Sequence, residues 1–252
     1  MRIPLLETLA KSGSTFTIDD AIASSKMRKE TLWVILSRLE KKGWIERIER
    51  GKYLIVPLSS EKGEFTLHEF VIGSLLATPY CISYWSALNH HGMTEQFPRT
   101  VFIQTTSRRW NQNPQIFGVN YRIVRVSESK FFGNKKEWID ESEIQITDVE
   151  KTLVDCLDKP HLCGGVLEVM KGMKNTKIQN DTIVEYALKI GNTGVLRRLG
   201  FISEYLDLDI EFPKVNTRNY LYLDPTLPHD GRKIAKWHVI NNMKPLLEGE
   251  LE

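Results

Sequence analysis

The stretch Met27–Val56 (MRKETLWVILSRLEKKGWIERIERGKYLIV) narrows the folds open to this chain more than any other. Leu32, Ile35, Leu36 and Leu39 recur at i, i+3, i+4 and i+7, so a helix over Met27–Lys42 carries one apolar face. Gly43 stands where the helix C-cap falls, behind Lys41 and Lys42, cations that complement the terminal carbonyls. Trp44–Ile48 and Lys52–Val56 read as strands, joined by Glu49-Arg50-Gly51, in which Gly51 can take a positive φ. Upstream, Pro4–Lys11 is predicted as a helix with Leu5, Leu6 and Leu9 on its apolar side, ended by Gly13. Thr17-x-x-Asp20 resembles a capping box with Asp in place of Glu, and opens a short helix over Asp19–Ser24. Ser25-Lys26 is the turn into the next helix. Three helices and a two-stranded ribbon in this order make a winged helix-turn-helix.

Charge is distributed in keeping with that order. The 252-residue chain has a formal net charge of only +2, yet residues 1–57 hold 11 Lys+Arg against 7 Asp+Glu. A basic head on a mildly acidic body points the head toward a polyanion. Hydrophobic residues at 41% and charged residues at 26% are a globular balance that excludes a disordered chain. No apolar run approaches twenty residues and no apolar leader follows Met1, so the expected setting is the cytoplasm, away from any membrane. Cys81, Cys156 and Cys163 are odd in number and make no C-x-x-C, which argues against a disulfide framework or a zinc knuckle.

With 100° between successive helical residues, Glu30, Trp33, Val34, Ser37 and Lys41 point away from the leucine face, and Arg38 lies on its flank. The start of such a helix enters the major groove, and here it carries Lys26, Arg28 and Lys29. Arg28 can take a guanine edge in bidentate fashion, whereas Lys26, Lys29 and Lys41 suit phosphates. Ser25 and Ser37 can donate to phosphate oxygens, and Arg50 and Lys52 at the ribbon tip suit the minor groove or flanking backbone. Trp33 is the remaining candidate, for a base contact, for packing on the preceding helix or for a dimer contact. A single winged helix offers few base contacts, so specific binding to double-stranded DNA calls for two copies on paired half-sites.

The fold class expected for the whole chain is α+β: a winged helix over 1–57, a polar linker over 58–66, and a larger mixed α/β domain over 67–252. Within the body, helices are predicted over Leu67–Leu76, Tyr84–His91 (capped by Ser83), Asp148–Leu157 (capping box Thr147-x-x-Glu150), Val166–Met173, Asp181–Ile190 and Val195–Leu206. Strands are predicted over Thr100–Thr105, Asn120–Val126, Lys136–Ile139, Glu143–Ile146, Tyr220–Leu223 and Trp237–Ile240.

Several blocks of the body, together with the winged helix, resemble the AbiEi-type antitoxins of abortive-infection, type IV toxin–antitoxin systems. They are Tyr80-Cys81-Ile82-Ser83-Tyr84-Trp85-Ser86-Ala87-Leu88, His91-Gly92, Thr94-Glu95-Gln96 and Pro98-Arg99-Thr100-Val101. Phe131-Phe132-Gly133, Ile146 through Asp155 (ITDVEKTLVD), Leu223-Asp224-Pro225 and Lys236-Trp237 complete the set. The resemblance implies a transcriptional autorepressor acting at inverted repeats, with a C-terminal domain that counters a nucleotidyltransferase-like toxin.

No enzyme is expected, and no catalytic residue, cofactor or metal ligand is assigned. Asp148-Val149-Glu150-Lys151 is similar to the Asp…Glu-x-Lys of metal-dependent nucleases, but the spacer before the lysine is missing and a helix start already explains the acids. His90 and His91 are adjacent, so on a helix their side chains diverge by about 100° and chelate one ion poorly. There is no P-loop, no G-x-S-x-G and no dinucleotide fingerprint. Two alternatives stay open: a winged-helix regulator whose body senses a small molecule in an apolar pocket, and a nucleic-acid-processing enzyme with clustered acids and a divalent metal.

Overall fold

The computed structural model describes residues 4–11, 13–56, 67–139 and 142–243. The chain is α+β and divides into two compact units, residues 1–76 with 138–143 and residues 77–137 with 144–252. The predicted linker lies outside the described residues.

The first unit runs α1 (Pro4–Ala10), β1 (Thr15–Thr17), α2 (Ile18–Ser25), α3 (Lys29–Lys41), β2 (Ile45–Glu49), β3 (Lys52–Ile55) and α4 (Glu69–Ser74). Thr17 caps α2 as its sequence predicts: its Oγ1 accepts from the Asp20 amide at 3.2 Å while Asp20 Oδ2 accepts from the Thr17 amide at 2.8 Å. Leu32, Leu36 and Leu39 of α3 are buried with Leu5, Leu9, Phe16, Ala21, Ile45 and Tyr53 in one core. Each fully buried leucine contributes about 1.5–3 kcal/mol relative to exposure.

The sequence misses β1, because three residues are too few to show alternation. This strand pairs antiparallel with β3, Phe16 opposite Tyr53, and their rings stack at 5.4 Å. It makes the wing one side of a three-stranded sheet, ordered β1-β3-β2. At the wing tip Gly51 holds φ +79, and its carbonyl accepts from the Ile18 amide at 2.7 Å. A Cβ there would lie 3.2 Å from Ile18 Cγ2, so both backbone and space select glycine.

Helix α3 begins two residues later than its periodicity suggests. Lys26 takes a left-handed conformation (φ 56, ψ 18) as the cap of α2, and Arg28 is the extended N-cap of α3 (φ −68, ψ 146). Met27, in the turn between them, lies off the leucine face and is 41% exposed. α4 is shorter than the predicted Leu67–Leu76 helix. His68 caps it, with Nδ1 accepting from the Phe70 amide at 3.1 Å.

The second unit contains β4 (Cys81–Ile82), α5 (Tyr84–His90), β5 (Thr100–Thr105), β6 (Gln115–Ile116), β7 (Val119–Arg125), β8 (Asn134–Ile139) and β9 (Ser142–Thr147) apart from residues 138–143, α6 (Val149–Asp158), α7 (Val166–Asn175), α8 (Asn180–Lys189) and α9 (Thr193–Tyr205). Strands β10 (Leu221–Tyr222), β11 (Arg232–Ile234) and β12 (Val239–Asn241) follow. Six strands form one mixed sheet, β6-β7-β5-β4-β9-β8. β5 runs parallel to β7 with Ile103 opposite Ile123, and antiparallel to β4 with Ile82 opposite Ile103. A second sheet is ordered β10-β12-β11. Leu153, Val154 and Leu157 of α6 are buried with Val166, Val169, Met170, Val195, Leu199 and Ile202 of α7 and α9.

The cap of α6 differs from the predicted Thr147-x-x-Glu150 box. Thr147 closes β9 and shares a hydrogen bond with the Thr152 hydroxyl at 2.7 Å, so Asp148 becomes the cap and its Oδ1 accepts from the Lys151 amide at 2.8 Å. Glu150 reaches instead to the Gln179 amide at 2.8 Å. Ser83 occupies the N-cap of α5 as predicted, but its hydroxyl makes no capping bond. Among the described residues no helix is long and apolar enough to cross a membrane.

Candidate nucleic-acid interface

The buried leucines of α3 fix which side the helix presents. Glu30, Thr31, Val34, Ser37, Arg38 and Lys41 are exposed along the opposite side, and Val34 is 52% exposed. Lys26, Arg28 and Lys29 are exposed at its N-terminal end, and Arg50 is exposed at the wing tip. Among the described residues, the side chains of Lys26, Arg28, Lys29, Arg38, Lys41 and Arg50 have no hydrogen-bond or ion-pair partner. Cations with no internal partner on a convex helix face remain available to external anions. The Arg28 cap carries no side-chain hydrogen bond, so the first amides of α3 have no side-chain acceptor at the cap.

Three of the ten predicted contacts are placed differently. The Ser25 hydroxyl donates to the Ala21 carbonyl at 2.6 Å and accepts from the Met27 amide at 3.2 Å, so its single proton serves the turn. Trp33 is half-buried and packs against the core of the first unit. Lys52 is half-buried, 3.1 Å from the Glu49 carboxylate, and donates to the Leu75 carbonyl. Its ammonium is engaged within the first unit, which leaves Arg50 as the unpartnered cation of the tip.

Thr31 and Val34 are the residues that a search for cations passes over. Val34 lies among the exposed polar side chains of α3, where a valine is suited to a thymine methyl. An exposed valine has no core to fill, and that mismatch between residue type and helical phase is the sequence clue.

Lys26 combines strain with charge. A non-glycine residue in the left-handed region costs roughly 1–2 kcal/mol, and glycine would adopt φ 56 freely. Lys26→Gly is therefore expected to raise the stability of the first unit by about 0.5–1 kcal/mol in thermal denaturation while lowering duplex affinity. A variant that is both less stable and unchanged in affinity would mean that the lysine is there for the turn.

The nuclease-like Asp148-Val149-Glu150-Lys151 run is occupied by structural bonds. Asp148 caps α6, Glu150 holds the Gln179 amide, and Lys151 is fully buried against Asp155. Tyr186 donates to Asp148 Oδ2 at 3.1 Å, and burial together with that carboxylate pushes its phenol up to about 12. A cavity of about 400 Å³ is lined by residues 92–96, Glu168, Lys171, Lys174 and Asn175. Its walls are mostly polar, unlike the apolar pocket that a small-molecule sensor calls for.

Residues 4–56 match the family described as transcriptional regulator, AbiEi antitoxin. The resemblance to AbiEi-type antitoxins thus holds for the winged helix. No curated protein matches the sequence. Among solved structures, the RV2827C protein from Mycobacterium tuberculosis shares the fold with a TM-score of 0.69 at 10% identity, over 100% of this chain and 96% of that one.

Proposed function

We propose that the chain is a cytoplasmic transcriptional autorepressor and the antitoxin of a toxin–antitoxin operon, and that it represses by occupying promoter DNA. The observation that carries this reading is the set of unpartnered cations on the turn, α3 and the wing tip. The family match over residues 4–56 supports it independently. Arg28 reads a guanine edge, Val34 meets a thymine methyl, and Lys26, Lys29, Arg38, Lys41 and Arg50 neutralise phosphates, with Ser37 donating to a phosphate oxygen. Two copies sit on inverted half-sites, because one winged helix reads few base pairs. The second unit counters a nucleotidyltransferase-like toxin encoded beside it.

A reporter driven by the DNA upstream of the chain's own gene tests both halves of the proposal. Expression of the intact chain should silence the reporter, and Arg28→Ala should restore it. Co-expression of the adjacent gene should arrest growth only when this chain is absent. A reporter indifferent to the chain overturns the repressor role, and arrest unaffected by the chain overturns the antitoxin role.

A further inference from the structure

The sequence argues against a metal at His90-His91, because adjacent helical side chains diverge. The structure nevertheless brings the two imidazoles near each other. His90 is the last residue of α5 and His91 is its C-cap, where the chain leaves the helix at φ −80, ψ 4. Their rings lie 5.3 Å apart, nearly perpendicular. A third donor arrives from β8, 47 residues away: Glu137 Oε2 lies 2.5 Å from His90 Nε2.

We propose that His90, His91 and Glu137 bind one divalent transition-metal ion of the zinc class. One ligand atom from each of the three lies within 4.8 Å of the others, the only such His/Cys/Asp/Glu group among the described residues. His91 Nε2 is 2.7 Å from the Thr147 carbonyl oxygen. A carbonyl only accepts, so Nε2 carries the proton and Nδ1 keeps the lone pair. Metal-binding histidines are held in the same way, with one ring nitrogen donating to a backbone carbonyl to fix tautomer and orientation. The His90 and Glu137 side chains are 24% and 34% exposed, so an ion reaches them directly from solvent.

The donor set selects the class of ion. Two imidazoles and one carboxylate suit zinc and its neighbours, whereas magnesium and calcium prefer all-oxygen shells. Three protein donors leave a coordination position for water. A bound ion replaces the His90–Glu137 hydrogen bond with a firmer tie between the end of α5 and Glu137 of β8, all three ligands being in the second unit. It stabilises the folded chain by an amount that grows with the logarithm of the free-ion concentration once that exceeds Kd.

Titration of the metal-stripped intact chain with Zn²⁺ by calorimetry, and with Co²⁺ by visible absorption, tests the site. One ion per chain is expected, with Co²⁺ bands of a low-coordinate nitrogen–oxygen site. Zn²⁺ should also raise the thermal midpoint. Glu137→Gln and His90→Ala should each weaken binding at least about ten-fold and erase the Co²⁺ bands and the thermal shift. His161→Ala and His229→Ala should leave all three readouts unchanged. Glu137→Gln keeps the size and hydrogen bonding of the side chain, so its far-ultraviolet dichroism should match the wild type. Absence of saturable binding overturns the proposal, as does binding that persists undiminished in both variants.

Discussion

Asp155→Ala is expected to destabilise the second unit by about 3–5 kcal/mol in urea denaturation. Lys151 is fully buried on α6, one turn before Asp155, and its ammonium pairs with Asp155 Oδ1. Gln104 of β5 donates to the other carboxylate oxygen at 2.7 Å, and the Lys151 ammonium lies 4.7 Å from the centre of the Phe132 ring. Removal of the carboxylate strands a buried ammonium and a buried amide together. Burial pushes the Asp155 carboxyl up, against the pull of Lys151, so desolvation outweighs attraction within this pair. Replacing both members by apolar groups, Lys151→Met with Asp155→Leu, should therefore recover most of the loss. Because the folded carboxyl binds its proton more tightly than the unfolded one, its contribution is greatest below about pH 4 and declines as the pH rises through the folded value. A single-variant loss under about 1 kcal/mol would mean that the ammonium finds another partner or water.

Arg28→Ala is expected to cost about 1–3 kcal/mol of specific duplex affinity and to relax the preference at one base pair. Lys41→Ala should instead weaken all duplexes alike and reduce the slope of log K against log salt by about one. The contrast follows from their places on one helix. Arg28 is the N-cap of α3 and Lys41 its last residue; in the proposed complex the first would sit at the groove, where a planar fork can meet a base edge, and the second beside the DNA backbone. Equilibrium binding at several salt concentrations, on a specific and a scrambled duplex, separates the two. If both variants lose affinity uniformly, Arg28 is a phosphate contact like the others.

Much of the first unit is legible in its sequence because local rules and tertiary demands agree there. The Leu32, Leu36 and Leu39 stripe, the Thr17–Asp20 box and the glycine at the wing tip each specify their element without help from distant residues. The contacts assigned to Ser25, Trp33 and Lys52 shift because each side chain finds a neighbour that sequence order conceals: Ala21 one turn back, the apolar core, and the Leu75 carbonyl 23 residues on. Exposure is a tertiary property, and periodicity gives only the phase of a face.

In the second unit the conspicuous sequence blocks turn out to be joints. Ser86 accepts from the Phe102 amide at 2.9 Å and ties α5 to β5. Thr94 and Gln96 donate to Glu168 of α7 at 2.6 and 3.4 Å. Gly133 holds φ +68, where a Cβ would come within 2.8 Å of Lys151, so Phe132-Gly133 and the α6 block are two halves of one packing. Asp224 caps α7 from 58 residues away, accepting from the Val166 amide at 2.6 Å. These residues record how the domain is assembled and disclose no chemistry. The His90–His91–Glu137 group was hidden for the opposite reason: its third member comes from a strand 47 residues away, and the rotamers that bring two adjacent imidazoles near each other are not written in sequence order.

In the proposed complex the exposed face of α3 enters a major groove of the chain's own promoter. Hydroxyl-radical footprinting of the intact chain on the DNA upstream of its gene tests it most directly. Two protected patches are expected on inverted half-sites, spaced by one helical turn of about 10 base pairs or a multiple of it, and both should be lost in Arg28→Ala. Protection no stronger than on an unrelated duplex, or a footprint identical in the variant, would contradict it.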